Sequence, residues 1–172
     1  MIKTDYNNIF RNKKLFFLGV FIAISAAFLD IFTKKLIFHI LDQQSGGYEG
    51  FYIEITNFFN LVKVWNRGVS FGMFSDVENS QIIFSVIVSS ITLIMLIWLY
   101  RNDKPYLMIA IALIIGGALG NLSDRITNGA VADFLDFHIA NYHWPAFNLA
   151  DSFVFIGVFM LILEDLFLKK QK

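Results

Sequence analysis

Residues 81–100 read QIIFSVIVSSITLIMLIWLY, an apolar run without a single charged side chain. Crossing a hydrocarbon core of about 30 Å as an α-helix takes about 20 mostly apolar residues, so this stretch alone predicts a membrane span. Outward from it, three more stretches reach that length. The first covers about 15–38 and is interrupted late by Asp30, Lys34 and Lys35; the third covers about 106–122 and loses apolarity at Asn121. The fourth covers about 145–168, with Asn148 and Asp151 in its first turns and Glu164 and Asp165 in its last. Composition agrees, since 56% of the residues are hydrophobic and mean hydropathy is +0.59, where an average soluble domain has roughly 45–50% apolar residues. The expectation is a membrane all-α core of four transmembrane helices, in a single domain over 1–172.

Charge sets the orientation. Lys3, Arg11, Lys13 and Lys14 precede the first stretch, Arg101 and Lys104 lie between the second and third, and Lys169, Lys170 and Lys172 follow the fourth. Positive flanks stay cytoplasmic, which predicts cytoplasmic termini and outer segments over about 39–80 and 121–144. An alternative for the first stretch is a cleavable signal peptide ending near Ala26-Ala27. Apolar residues resume at Leu36, Ile37 and Phe38, however, and losing that span would leave an odd number of crossings. In the first outer segment a turn at Ser45-Gly46-Gly47 precedes aromatic and β-branched residues in partial alternation from Phe51 to Trp65. That pattern predicts a small extracytoplasmic β-sheet of two to four strands over about 45–65. The second outer segment is expected to be a periplasmic loop.

Several function classes drop out. A formal net charge of zero gives no field for nucleic acid or a polyanionic partner. The absence of cysteine removes thiol nucleophiles, thiolate metal sites and iron–sulfur clusters. His39, His138 and His143 are too scattered to form a metal-binding pair at helical spacing, so neither metal nor cofactor is expected. No internal repeat pairs the two halves, which disfavours an inverted-repeat transporter.

What remains is a set of acids and amides at the outer ends of the spans. An ionisable group at the centre of a membrane helix costs about 2.5–3.5 kcal/mol on insertion scales, so each needs a partner or a purpose. Asp30 and Lys34, at i and i+4, are read as a structural ion pair. Gly116-Gly117-Ala118-Leu119-Gly120 supplies small residues for close helix approach, inside the molecule or between two copies. Asn121, Asp124 and Arg125 follow on one face, with Arg125 expected to pair with Asp124 in a fork. Asp133, in Val-Ala-Asp-Phe, and Asp151, in Phe-Asn-Leu-Ala-Asp, stand just outside the third span and at the start of the fourth, at one depth. Two adjacent carboxyls share one proton at neutral pH, and such a pair can activate water and protonate an amide in the same site. Spacing alone leaves open a second reading, two structural acids capping helix starts. Asp136, His138 and His143 are expected to face water or headgroups. In Asn66-Arg67-Gly68-Val69-Ser70-Phe71-Gly72, Asn66 suits hydrogen bonding to a substrate backbone and Gly68 close backbone approach; a simple turn is the alternative.

In this order, Asp30 with Lys34, NRGVSFG at 66–72, GGALGNLSDR at 116–125, VADF at 131–134 and FNLAD at 147–151 resemble bacterial lipoprotein signal peptidase, signal peptidase II. The resemblance covers nearly the whole chain, with Ser70 where alanine is more usual. It implies a monomeric aspartic endopeptidase of the inner membrane that removes signal peptides from prolipoproteins just before a diacylglyceryl-modified cysteine. Carried over by residue, the catalytic pair falls on Asp133 and Asp151. Supporting and substrate-contacting positions fall on Asp30, Lys34, Asn66, Asn121, Asp124, Arg125, Asn148 and Ala150, to which the reading above adds Gly68. The partners implied are lipid-modified prolipoproteins and membrane lipids, with globomycin-type inhibitors in the same cleft. Gly46, Gly47, Gly68 and Gly72 flank an aromatic run, which suggests a lid: the sheet and the segment before the second span closing over the scissile bond, stopped by a crosslink from the sheet to the loop near Phe137. The rival classes are an ion-coupled transporter, a docking factor using its aromatic sheet, and an intramembrane protease for unlipidated substrates.

Overall fold

The computed structural model describes residues 6–46, 48, 50–68 and 80–168. Lys3, Gly47, residues 69–72 with Ser70 among them, Lys169, Lys170 and Lys172 lie outside these. The elements run in the order α1 (Tyr6–Ser45), β1 (Tyr52–Thr56), β2 (Phe59–Asn66), α2 (Ser80–Arg101), α3 (Pro105–Asn128), β3 (Val131–Ile139), β4 (Tyr142–His143) and α4 (Leu149–Leu163), which continues as a π-helical turn, Glu164–Leu168. Among the described residues, three helices, α1, α2 and α3, are long and apolar enough to cross a membrane.

α3 is the axis of the bundle and packs against α1, α2 and α4. Small residues make this possible. A Cβ on Gly116 would lie 2.7 Å from the Ala23 carbonyl oxygen, one on Gly117 would lie 2.3 Å from that of Ala150, and one on Gly120 would lie 2.4 Å from Asp30 Oδ2. The glycine stripe therefore serves contacts inside the molecule, to α1 on one side and α4 on the other. α2 closes the third side through Leu99, which packs with Met108, Ile111 and Ile115 of α3. The rest of α2 is largely exposed, with Ile82, Val86, Leu93 and Ile94 facing outward as a lipid-facing helix requires.

α1 runs for 40 residues, a length of roughly 60 Å at 1.5 Å per residue. Beyond Lys34 it stays helical because Phe38 and Leu41 have something to bury against: Phe38 packs with Ala132 and Phe134 and meets the Trp65 ring edge-on at 5.1 Å. The helix ends at Gly46, whose φ of 58° is the left-handed conformation of a helix C-terminus.

The sheet is antiparallel throughout, in the order β1-β2-β3-β4. Its extent corrects the expectation of a loop over 121–144: two of the four strands come from that segment, and α3 itself continues to Asn128, where Gly129, at φ 66°, turns the chain. The strand was hidden because Asp133 and Asp136 interrupt its apolar alternation. Three residues apart, they point to opposite faces of the sheet. Asp136 does not face water. It is buried, accepting from Asn60 Nδ2 at 3.0 Å and lying 2.9 Å from His143 Nδ1, with the His138 ring stacked on His143 at 4.8 Å. A cleft of about 510 Å³ lined by Tyr52, Asn60, Asp136, His138 and His143 opens there, without either of the paired aspartates. Phe137 likewise belongs to the sheet, paired with Phe59 and stacked on it at 4.7 Å, so a crosslink between the sheet and Phe137 would join two parts of one sheet; residues 69–79 of the expected lid lie outside the described residues.

Candidate active site

α4 begins at the site. Asn148 is its N-cap: Asn148 Oδ1 accepts from the Asp151 N–H at 3.0 Å, and Asp151 Oδ2 accepts from the Asn148 N–H at 3.2 Å. This reciprocal cap pairs up N–H groups that a helix start leaves unmatched. Asp151 is thus a capping acid, as one reading of the sequence had it. Its other oxygen is turned elsewhere: Oδ1 accepts from Asn121 Nδ2 at 2.8 Å.

Asp133 arrives from β3 on the same asparagine. Asn148 Nδ2 donates to Asp133 Oδ1 at 2.7 Å, and Asn66 Nδ2 donates to Asp133 Oδ2 at 3.0 Å. One residue, Asn148, therefore holds both carboxylates, the first through its side chain and the second through its backbone. Asn148 is wholly buried and Asp133 is 2% exposed, while Asp151 is only half-buried. Burial, and next the charge of Asp151, push the Asp133 carboxyl up from its ordinary range to about 7; the bonds from Asn66 and Asn148 and the Lys34 charge pull the other way. Asp133 therefore keeps its proton up to about pH 7.

Around this pair lies a second ring. Lys34, 3% exposed, donates to Asn121 Oδ1 at 2.8 Å and forms ion pairs with Asp30 Oδ2 at 2.7 Å and Asp124 Oδ2 at 2.9 Å. Asp30, fully buried, accepts from the Ala150 N–H at 2.8 Å and so caps α4 from another helix. Asp124 Oδ2 also accepts from the Ala132 N–H at 3.2 Å, tying α3 to β3. The fork expected between Asp124 and Arg125 is not formed, because consecutive helical residues do not face each other. Asp124 turns to Lys34. Arg125 instead lies 6.0 Å over the Phe84 ring, with Nη1 3.4 Å from the Asn121 carbonyl. Gly68 is buried and donates its N–H to Asn66 Oδ1 at 3.0 Å, so that motif makes the turn that points the Asn66 amide at Asp133. Every expected site residue thus lies in or around one polar cluster, Gly68 and Ala150 through their backbones. The neighbour that sequence reasoning missed is Phe84, an apolar residue in an apolar helix that carries no local signal. Among the described residues, no group of three or more His, Asp or Glu side chains is arranged to hold a metal ion.

The family model described as signal peptidase (SPase) II matches residues 22–167. The chain belongs to the signal peptidase II family. The lipoprotein signal peptidase of Francisella tularensis subsp. novicida is 41% identical over 168 residues, 95% of this chain and 99% of its own. That of Aeromonas hydrophila subsp. hydrophila is 42% identical over 156 residues, 89% of this chain and 90% of its own. A solved bacterial membrane enzyme superposes with a TM-score of 0.73 at 29% identity, covering 90% of this chain and 93% of the other. The likeness to the solved membrane enzyme covers the helices and the small sheet alike.

Proposed function

We propose that Asp133 and Asp151 are the catalytic pair of an aspartic endopeptidase that cuts prolipoproteins just before a diacylglyceryl-modified cysteine. Signal peptidase II membership makes the chain a peptidase that removes signal peptides from prolipoproteins. The observation that carries the aspartic reading is the double hold of Asn148 on two carboxyls, one of them raised to about 7. With one proton between them, the ionised carboxylate takes a proton from water as the water oxygen bonds to the scissile carbonyl carbon. The protonated carboxyl gives its proton to the developing oxyanion. When the C–N bond breaks, the leaving nitrogen takes up the proton that came from water, one hydroxyl proton of the intermediate returns to the carboxyl that protonated the oxyanion, and the pair is back in its starting state.

The surroundings belong to the same proposal. The whole chain, 1–172, acts as a single peptidase domain, a monomer in the bacterial inner membrane. α4 with its π-helical turn, Leu149–Leu168, serves as the fourth span, long enough at about 20 residues. Both termini then lie in the cytoplasm and the dyad faces the periplasm, at the depth where acyl chains of a lipidated substrate meet its peptide bond. Globomycin-type inhibitors bind at Asp133 and Asp151.

The experiment is cleavage of a diacylglyceryl-modified prolipoprotein by the purified protein in detergent, comparing wild type with Asp133→Asn and Asp151→Asn at equal folded amounts. Each substitution is expected to lower the rate by about 10²-fold or more, as removal of an acid–base group does. Wild-type rates in either variant would show that the catalytic groups lie elsewhere. An unlipidated substrate cleaved as fast as the lipidated one would remove the requirement for the lipid.

A further inference from the structure

Three asparagine amides donate to the dyad, and each is held in one orientation by an N–H on its oxygen. For Asn66 the donor is the backbone of Gly68 at 3.0 Å, and for Asn148 it is the backbone of Asp151 at 3.0 Å. For Asn121 the donors are Asn148 Nδ2 at 3.1 Å and, closer, the Lys34 ammonium at 2.8 Å. Only the Asn121 lock carries a full charge. Turning this amide over would set its NH₂ against the ammonium and its oxygen against the Asp151 carboxylate, so charge decides which end faces Asp151.

We propose that Lys34 is a positioning residue of the reaction: through the Asn121 amide it keeps the dyad's negative charge on Asp151, which makes Asp151 the base and leaves the shared proton on Asp133. The inference rests on the dyad proposed above. Asp151 Oδ1 receives its 2.8 Å hydrogen bond from an amide whose oxygen is bonded to a cation. Polarisation along such a chain strengthens the bond to a carboxylate. Asp133 is held at 2.7 and 3.0 Å by amides with no cation on their oxygens, and the Lys34 charge acts on it without such a relay. Its Asn148 donor is shared with Asn121 Oδ1 and the Ala132 carbonyl, and its Asn66 donor is locked by a neutral backbone N–H. The charged groups that face Asp151 are Arg125 from α3 and Asp133 from β3, and behind Asn121 stand Lys34 and Asp30 from α1 and Asp124 from α3. Lys34 pairs directly with Asp30 and Asp124, so the same ammonium also offsets two of the negative charges.

In the assigned step, water loses a proton to Asp151 as its oxygen bonds to the carbonyl carbon, and Asp133 protonates the oxyanion. On collapse the C–N bond breaks, the amine takes the proton from Asp151, and one hydroxyl proton of the intermediate returns to Asp133. One water is consumed, and acid and amine leave.

The test is kcat/KM against pH for the full chain in detergent, with a diacylglyceryl-modified prolipoprotein, for wild type, Lys34→Met, Asn121→Leu and the double variant. Each single substitution is expected to move the acid limb of the profile up by about one pH unit. The double variant is expected to move it no further than the larger single shift, because both changes cut the same chain. A merely structural Lys34 would lower the plateau without moving the limb. Unmoved limbs in both single variants overturn the proposal, and so do shifts that add in full. If Lys34→Met does not fold, Asn121→Leu, which leaves Lys34 beside Asp30 and Asp124, carries the test with a moved or unmoved limb. Asp133→Asn or Asp151→Asn cutting at the wild-type rate would sink the dyad itself; when both are inactive, unmoved limbs sink only the role of Lys34.

Discussion

At the scale of single residues, the proton on Asp133 has a measurable consequence for stability. Its carboxyl is raised in the folded protein to about 7 from an ordinary value of 3.8. Between those values the unfolded chain has lost the proton and the folded protein has kept it, so stability falls as pH rises through this window, and the deficit persists above it. Thermal unfolding in detergent is therefore expected to show wild type losing stability from about pH 4 to about pH 7, and Asp133→Asn losing less of it. A variant with the wild-type slope would assign the titration to another group. The candidate residues themselves were legible in the sequence because polar side chains are conspicuous in an apolar chain. Their partners were not. Asp124 and Arg125 are adjacent in sequence, yet Asp124 finds Lys34 on another helix, 2.9 Å away; only the packing of α1 on α3 decides that.

Among the elements, α3 shows how close packing and chemistry depend on each other. Gly120 leaves room for Asp30, and Asp30 is fixed at both ends, by the Ala150 N–H at 2.8 Å and by Lys34 at 2.7 Å. It has nowhere to retreat. Gly120→Ala is expected to cost about 1–3 kcal/mol of stability, the range for overpacking a close-packed site, and to lower peptidase activity through the start of α4. Unfolding temperature and cleavage rate measured together check this; wild-type values for both would mean that Asp30 yields easily. The helices were readable as elements because 81–100 and its counterparts combine length with apolarity. β3 was not, since residues 131–139 carry two acids that serve opposite faces, Asp133 toward the dyad and Asp136 toward Asn60 and His143. An alternation rule presumes one polar face, and this strand has polar residues on both.

For the whole molecule, the proposed orientation can be checked directly, because the chain has no native cysteine. A cysteine introduced at exposed Tyr142 in β4 is expected to react with a membrane-impermeant maleimide on intact cells. One introduced at Asp103, in the α2–α3 connection, is expected to react only after permeabilisation. The reverse pattern would invert the topology. The bundle and the sheet are also mechanically joined, since α1 packs against both: Lys34 belongs to the site, and eight residues on Asp42 accepts a 2.6 Å bond from Lys63 of β2. At 1.5 Å per residue, one continuous helix sets these two points about 12 Å apart. α1 is therefore a calliper. It fixes the sheet at a set height along the bundle, so the spacing between the Lys34 cluster and the outer part of β2 is built into a rigid rod.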